Sequence, residues 1–303
     1  MEKAAPPQFE PVCFAANKRA HRAVFKGTLR GVSGNLARAA APRVLLNQFE
    51  KIAPALGAGR LSIESYRRGG PLVVRATNAW NERLLPADVA AVFEAVEGCT
   101  SEVDVEKGGG STYIRARKVG HAGEEPQAYV APLAGVLHGT RQYPRCPRCG
   151  APTSFQTFKW DTDAGEVTER ETGVRVVHQA VACFNTFLRQ MDEEIGEEAG
   201  QLAVEYQAQY VARRIDSGDY GSMGKDAKHR MFDYMGLIRR RCLGNPIIVN
   251  LVGDELYVRV RNPANSALLK GRALGTYRAV MRTDGRLQWQ HGCGLLEMLV
   301  KPE

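Results

Sequence analysis

A chain of 303 residues, 44% of them hydrophobic and 24% charged, is folded material long enough for one large domain or two of ordinary size. Its 41 basic and 33 acidic residues leave a net charge of +8, which suits a nucleic-acid, membrane-surface or acidic-protein partner, but no run of about eighteen apolar residues is present to span a bilayer. The opening MEKAAPPQFEPVCF has neither the charged start nor the apolar stretch of a secretory signal, and the seven cysteines have no framework spacing, so the expectation is a cytoplasmic protein with free or metal-bound thiols.

The first elements are helical, in KRAHRAVFKGTLRGVSGNLARAA (18–40) and APRVLLNQFEKIAPAL (41–56). The basic clusters NKRAHRAVFKGTLR and, later, LIRRRC have no interleaved aromatics and no recognition-helix motif. Solvated helix faces or a subunit interface explain them better than nucleic acid does. RLSIESY and PLVVRAT are the arms of a β-hairpin around RRGG. A helix follows in LLPADVAAVFEAVEG, with Pro86 in its first turn, Val89, Val92, Phe93 and Val96 at helical spacing, and Gly98 as its stop. TSEVDVE and STYIRARK form a second hairpin that turns on glycines. The run GGGST is no phosphate loop, because strands flank it on both sides and no lysine follows.

Residues 119–182 are loop-rich and then hairpin-like. Here CPRCG sets Cys146 and Cys149 at the CPxCG spacing of a zinc knuckle, whose tight turn points two sulfurs at one ion. A redox CxxC would lead into a helix, which Pro144 before it and Gly150, Ala151 and Pro152 after it oppose. A structural Zn²⁺ takes four ligands. His178 and Cys183 are the nearest later donors, His138 and Cys13 are reserves, and two cysteines from each chain of a symmetric dimer complete the count equally well.

From about 183 the plan repeats. ACFNTFLRQMDEEIGEEAGQLAVEYQAQYVARRI and DAKHRMFDYMGLIRRRC are helical, the first with Phe184, Phe187, Leu188 and Met191 as an apolar stripe. NPIIVNL and ELYVRVR form a hairpin, Leu268, Leu269, Ala273, Tyr277 and Val280 mark a helix, and GRLQWQHGCGLLEMLV closes. LVVRATNAWNERLLPADVAAVFEAV aligns without a gap on LYVRVRNPANSALLKGRALGTYRAV, setting Asn78 on Asn262, Asn81 on Asn265 and, upstream, Ile63 on Ile247, a constant offset of 184. Identity is roughly a quarter over about 55 residues, well above chance. The expected fold is therefore α+β: two repeated modules of helices on an antiparallel sheet, 1–118 and 183–303, with a small zinc-ribbon-like insert at 119–182.

MDEEIGEEAGQLAVEYQAQYVARRI, then LYVRVRNPANSALLKGRALGTYRAV and a glycine-containing hairpin, resembles the 4-vinyl-reductase-type, or hydrocarbon-binding, domain family. The resemblance covers about 185–302, with matching positions at 195–198, 201–215, 258–262 and 271–275, and through the duplication it extends to about 16–118. It implies a fold related to nitric-oxide-signalling and vesicle-tethering ligand-binding domains, with a cavity between helices and sheet for a small hydrophobic or aromatic molecule. Many members carry cysteines in the closing hairpin, whereas the first copy has none between Val103 and Lys118 and the second has only Cys293.

Inward positions of sheet and covering helix must line any such cavity, which makes Tyr277, Trp289, Phe93, Tyr206 and Tyr210 the aromatic candidates, with ordinary core packing as the plainer role for each. Asn78 and Asn262, at strand ends before helices, read as backbone caps. GxSxG, HExxH, GxGxxG and P-loop signatures are absent, His229 and Asp233 fit a surface pair, and Cys293 has no assignable base. The leading expectation is a non-catalytic binding protein for a small hydrophobic or aromatic molecule, acting as sensor, carrier or accessory subunit, no enzyme in itself, and forming a homodimer or an enzyme complex. A subunit of a multi-component enzyme and a basic nucleic-acid-binding protein are the alternatives.

Overall fold

The computed structural model describes residues 9–28, 40–121, 137, 145–218, 226–241 and 243–303. The chain divides into two compact units, one of residues 1–130, 158–169 and 175–194, the other of residues 131–157, 170–174 and 195–303. Both are mixed α+β units built on antiparallel sheets.

The first unit contains helices α1 (Phe9–Thr28) and α2 (Pro42–Ala55), hairpin β1 (Arg60–Tyr66) and β2 (Leu72–Thr77), helix α3 (Leu85–Glu97), and hairpin β3 (Cys99–Gly108) and β4 (Ser111–His121). Its sheet order is β1-β2-β4-β3. To this it adds a small sheet, β5 (Phe158–Asp161), β6 (Glu166–Glu169) and β7 (Arg175–Val176), and helix α4 (Val181–Ile195). The second unit contains α5 (Glu198–Asp216), α6 (Ala227–Arg240), β8 (Asn245–Val252), β9 (Glu255–Arg261), α7 (Ser266–Met281), β10 (Gly285–Gly292) and β11 (Leu295–Pro302), with sheet order β8-β9-β11-β10.

The repeat is carried by the backbone. Leu72, Val74 and Ala76 of β2 pair with Ala116, Ile114 and Thr112 of β4, and Leu256, Val258 and Val260 of β9 pair with Val300, Met298 and Leu296 of β11. Val103 opposite Ala116 likewise becomes Leu287 opposite Val300, so three strands of each sheet keep one register at the 184-residue offset. Even the left-handed positions recur: Asn78 and Asn262 at φ 54° and 50°, and Gly109 and Cys293 at 58° and 50° in the two-residue turns of the closing hairpins.

The first strand departs from the ungapped alignment. Ile63 lies opposite Val74, but the residue opposite the matching Val258 is Val249 and not Ile247. A two-residue turn at Gly253 and Asp254 replaces the five-residue loop of the first hairpin and shifts β8 along β9. Ile247 itself falls at the register irregularity between Pro246 and Ile248, opposite no residue of β9, and is 40% exposed where Ile63 is 9% exposed.

The long helical stretch expected after Cys183 is two helices. Gly196, at φ 76°, lies between them, and α4 belongs to the first unit. The buried face of α4 is also not the one expected: Cys183, Thr186, Gln190 and Met191 are buried, whereas Phe184, Phe187 and Leu188 are only partly so.

In the second unit α7 lies hard against α5. A Cβ at Gly275 would stand 2.3 Å from the Ala208 carbonyl oxygen, and one at Gly271 would stand 2.5 Å from that of Val204. The matching residues of α3, Ala87 and Ala91, are small and fully buried.

Candidate functional site

The five aromatic candidates divide by position. Phe93 and Tyr277 occupy the same place in the two modules, fully buried between helix and sheet. Tyr277 adds a hydroxyl, which donates to the Asp254 carbonyl at 2.7 Å, while burial, with Asp254 and Glu255 nearby, raises its pKa above the usual phenol value. Trp289 is on the same sheet face as Met298 but on edge strand β10, where it is 54% exposed beneath the Lys270 ammonium, 3.6 Å from its ring centre. Tyr206 and Tyr210 are on the exposed side of α5, with the Arg214 guanidinium 5.7 Å from the Tyr210 ring. All three are exposed: for Tyr206 and Tyr210 the helical period gave a stripe but not the side of it that turns inward, and Trp289 is on an edge strand.

Asn265 is the N-cap of α7, and Asn81 holds the turn that leads into α3. Asn81 Oδ1 accepts from Arg83 and Leu84, and Asn265 Oδ1 accepts from Leu268. Asn78 and Asn262, expected as caps, instead hold segments of the insert. Asn78 donates to the Ala164 carbonyl and to Glu166 and accepts from Arg175. Asn262 brackets Leu137, accepting its N–H and donating to its C=O, both at 2.8 Å.

The CPRCG segment forms a tight turn. Cys146 N–H donates to Ala151, Gly150 N–H donates to the Cys146 carbonyl, and Gly150 has φ 72°. The Cys149 and Arg148 amides, followed by the Cys149 thiol, hydrogen-bond the Cys146 sulfur and lower its pKa. Among the described residues no three His, Cys, Asp or Glu side chains are grouped to hold a metal. The His178 ring stacks on Trp160 at 5.9 Å and meets Phe158 edge-on, its N–H donates to Leu56, and burial lowers its pKa. Cys13 is on α1, partly buried, and His138 lies outside the described residues.

The first unit contains a polar interior that sequence reasoning missed. The Glu94 carboxylate, fully buried, pairs with Lys18 at 3.0 Å and with Arg22, and accepts from the N–H and hydroxyl of Ser101. Nearly two turns earlier on α3, Asp88 accepts from Asn17 at 2.7 Å and pairs with His21 Nδ1 at 2.9 Å. Burial would lower the His21 pKa, but the Asp88 carboxylate and then the Cys183 thiol, which hydrogen-bonds the same ring, raise it to about 11. The Gln190 amide, two turns from Cys183 on the same helix, is fully buried, and neither its nitrogen nor its oxygen has a hydrogen-bond partner among the described residues. The signal available in the sequence was Asp88 and Glu94 inside the otherwise apolar run LPADVAAVFEAVE.

In the second unit Arg272 and Thr276 on α7 are buried, and the Thr276 hydroxyl has no hydrogen-bond partner among the described residues.

No family model matches this chain, and no curated protein matches it. Among solved structures, the phenol-responsive sensory domain of the transcription activator PoxR with phenol is similar over 48% of this chain and 85% of its own, at 12% identity and a TM-score of 0.40. An H-NOX protein from S. oneidensis in the Fe(II)NO ligation state is similar over 43% of this chain and 79% of its own, at 12% identity and a TM-score of 0.31. A further structure, described under H-NOX activation, covers 50% and 84% at 13% identity, also with a TM-score of 0.31. All three likenesses are remote. No helix among the described residues is long and apolar enough to cross a membrane.

Proposed function

We propose that this chain is a non-catalytic small-molecule-binding protein, a sensor, carrier or accessory subunit, whose second module takes a small apolar or aromatic molecule bearing one hydrogen-bonding group. The observation that carries this reading is the Thr276 hydroxyl. A buried hydroxyl costs about 1–3 kcal/mol when left unpaired, and a helical threonine ordinarily relieves this by bonding the carbonyl one turn back. Thr276 does not, although its surroundings on α7 include the buried Ala273, Tyr277 and Val280. A guest with an apolar body and one donor or acceptor satisfies it. The resemblance of 185–302 to hydrocarbon-binding domains points the same way. Calorimetric titration with phenol tests the reading: the protein gives a saturable heat, and Thr276→Val abolishes it while stabilising the ligand-free protein by about 1 kcal/mol. A Thr276→Val protein that binds phenol unchanged, or an unvaried protein that gives no heat, overturns it.

We also infer that Cys146 and Cys149 supply half of a tetrahedral Zn²⁺ site whose other half is the same pair from a second chain. The donor chemistry fits, because the Cys146 sulfur already accepts the amide hydrogen bonds that favour a thiolate. The zinc would be structural, tying two chains together and supplying no chemistry. Native mass spectrometry should show a dimer with one zinc, and Cys146→Ser should lose both metal and dimer. A zinc-free monomer from the unvaried chain rejects the inference.

A further inference from the structure

We propose that the outer face of the second unit's sheet, the one turned away from α7, is a self-association surface that stacks on the same face of a second copy of this chain. Val258 of β9 and Met298 of β11 are buried in the core with Tyr277 of α7, so their neighbours along each strand point the other way. The paired register gives that outer face three rows across the strands: Ile248, Arg259 and Glu297; then Tyr257 and Leu299; then Val252, Glu255 and Lys301.

Charge selects a second copy as the occupant. Arg259 pairs with Glu297 in one outer row, and Lys301 pairs with Glu255 at 3.1 Å in the other, on the opposite strands. A two-fold axis along the Tyr257–Leu299 row turns the first row onto the third. Arg259 then faces the partner's Glu255, and Glu297 faces the partner's Lys301. Ile248 and Val252, exposed by 38% and 66%, cover each other in the same operation, and Tyr257 and Leu299 pack at the centre.

The repeated module supplies the contrast. On the matching face of the first unit's sheet Arg115 stands where Leu299 does, beside Asp104, with Glu102 and Glu106 on the rows to either side. The same two-fold would set Arg115 on Arg115, Asp104 on Asp104 and Glu106 on Glu102, so that face repels its own copy. The self-matching pattern is therefore a property of the second module and no demand of the fold. A face four strands wide and about 26 Å long presents roughly 500 Å², the small end of specific interfaces. By itself it holds a reversible dimer only toward the upper micromolar range, above the dilution at which native mass spectrometry reads the cysteine site.

The test is sedimentation velocity of the full-length protein across the micromolar range with EDTA present, which removes any contribution of zinc. The unvaried chain should dimerise as concentration rises. Leu299→Asp, which sets two carboxylates on the axis, should weaken the dimer at least about tenfold, and Val252→Asp, at an exposed position outside the core, should do the same with an unchanged urea midpoint. Glu255→Lys should also weaken it, and adding Arg259→Glu should restore it. Both changes place like charges beside Lys301 and Glu297 of their own chain, so the rescue can come only from across the two-fold. A chain that is monomeric in EDTA and dimeric only with zinc overturns this surface and leaves the cysteine site standing. Dimers unaltered by both aspartate variants overturn it as well, as does a double variant no tighter than Glu255→Lys.

Discussion

The two modules share a backbone and differ in what they bury. Position 93 is a phenylalanine in the first and position 277 a tyrosine in the second, both within the core, whereas the next position carries opposite charges. Glu94 lies fully buried against Lys18 and Arg22, and the matching Arg278 pairs with Glu205 at 2.8 Å nearer the surface. Asp88, which holds His21, corresponds to Arg272, and Ala91 corresponds to Gly275. Strand register, set by β-branched alternation and paired turns, survived the divergence, while the polar contents of the interior were free to change wherever a partner on the neighbouring helix changed with them. The first unit became the more polar, and it alone contains α4.

Glu94→Ala against Arg278→Ala breaks this comparison most directly. Removing the buried carboxylate takes away a partner of both Lys18 and Arg22 and should cost about 3–5 kcal/mol in urea unfolding, whereas removing the half-exposed pair of the second unit should cost about 1 kcal/mol or less. Equal losses would mean that the two ion pairs do the same work. The helix contact comes next. Gly275→Ala drives a methyl into the Ala208 carbonyl and should lower stability by about 1–3 kcal/mol despite alanine's better helix propensity, while Ala91→Gly in the first unit should lower it by about 1 kcal/mol through propensity alone.

A further expected effect is on pH. His21 is raised from 6.5 to about 11 in the folded protein, so the native state keeps a proton that the unfolded chain gives up. The stability this contributes is complete below pH 6.5 and is lost as pH rises toward 11. Unfolding followed from pH 6.5 to 10 should show that decline, and His21→Gln should flatten it. An unvaried slope in His21→Gln would remove His21 from the buried network.

Much of this was legible in the residues. The hairpins, the helix between them and the 184-residue offset follow from period-2 and period-3.6 patterns and from glycines in the closing turns, each a local constraint. The wrong assignments share one cause. Tyr206, Tyr210, Trp289 and the stripe of α4 were placed by periodicity, which finds a face without saying what it meets. Ile247 was placed by alignment, which does not register a shorter turn.

By itself, then, the sequence determined the elements, their order and their repetition, because these rest on backbone preferences and on residues close together in the chain. Tertiary structure alone decided that Asn17 and His21 of α1 share one hydrogen-bonded cluster with Asp88 of α3 and that the Thr276 hydroxyl has no hydrogen-bond partner among the described residues. Such contacts depend on which helix face turns inward once three or more elements pack, and no local pattern carries that choice.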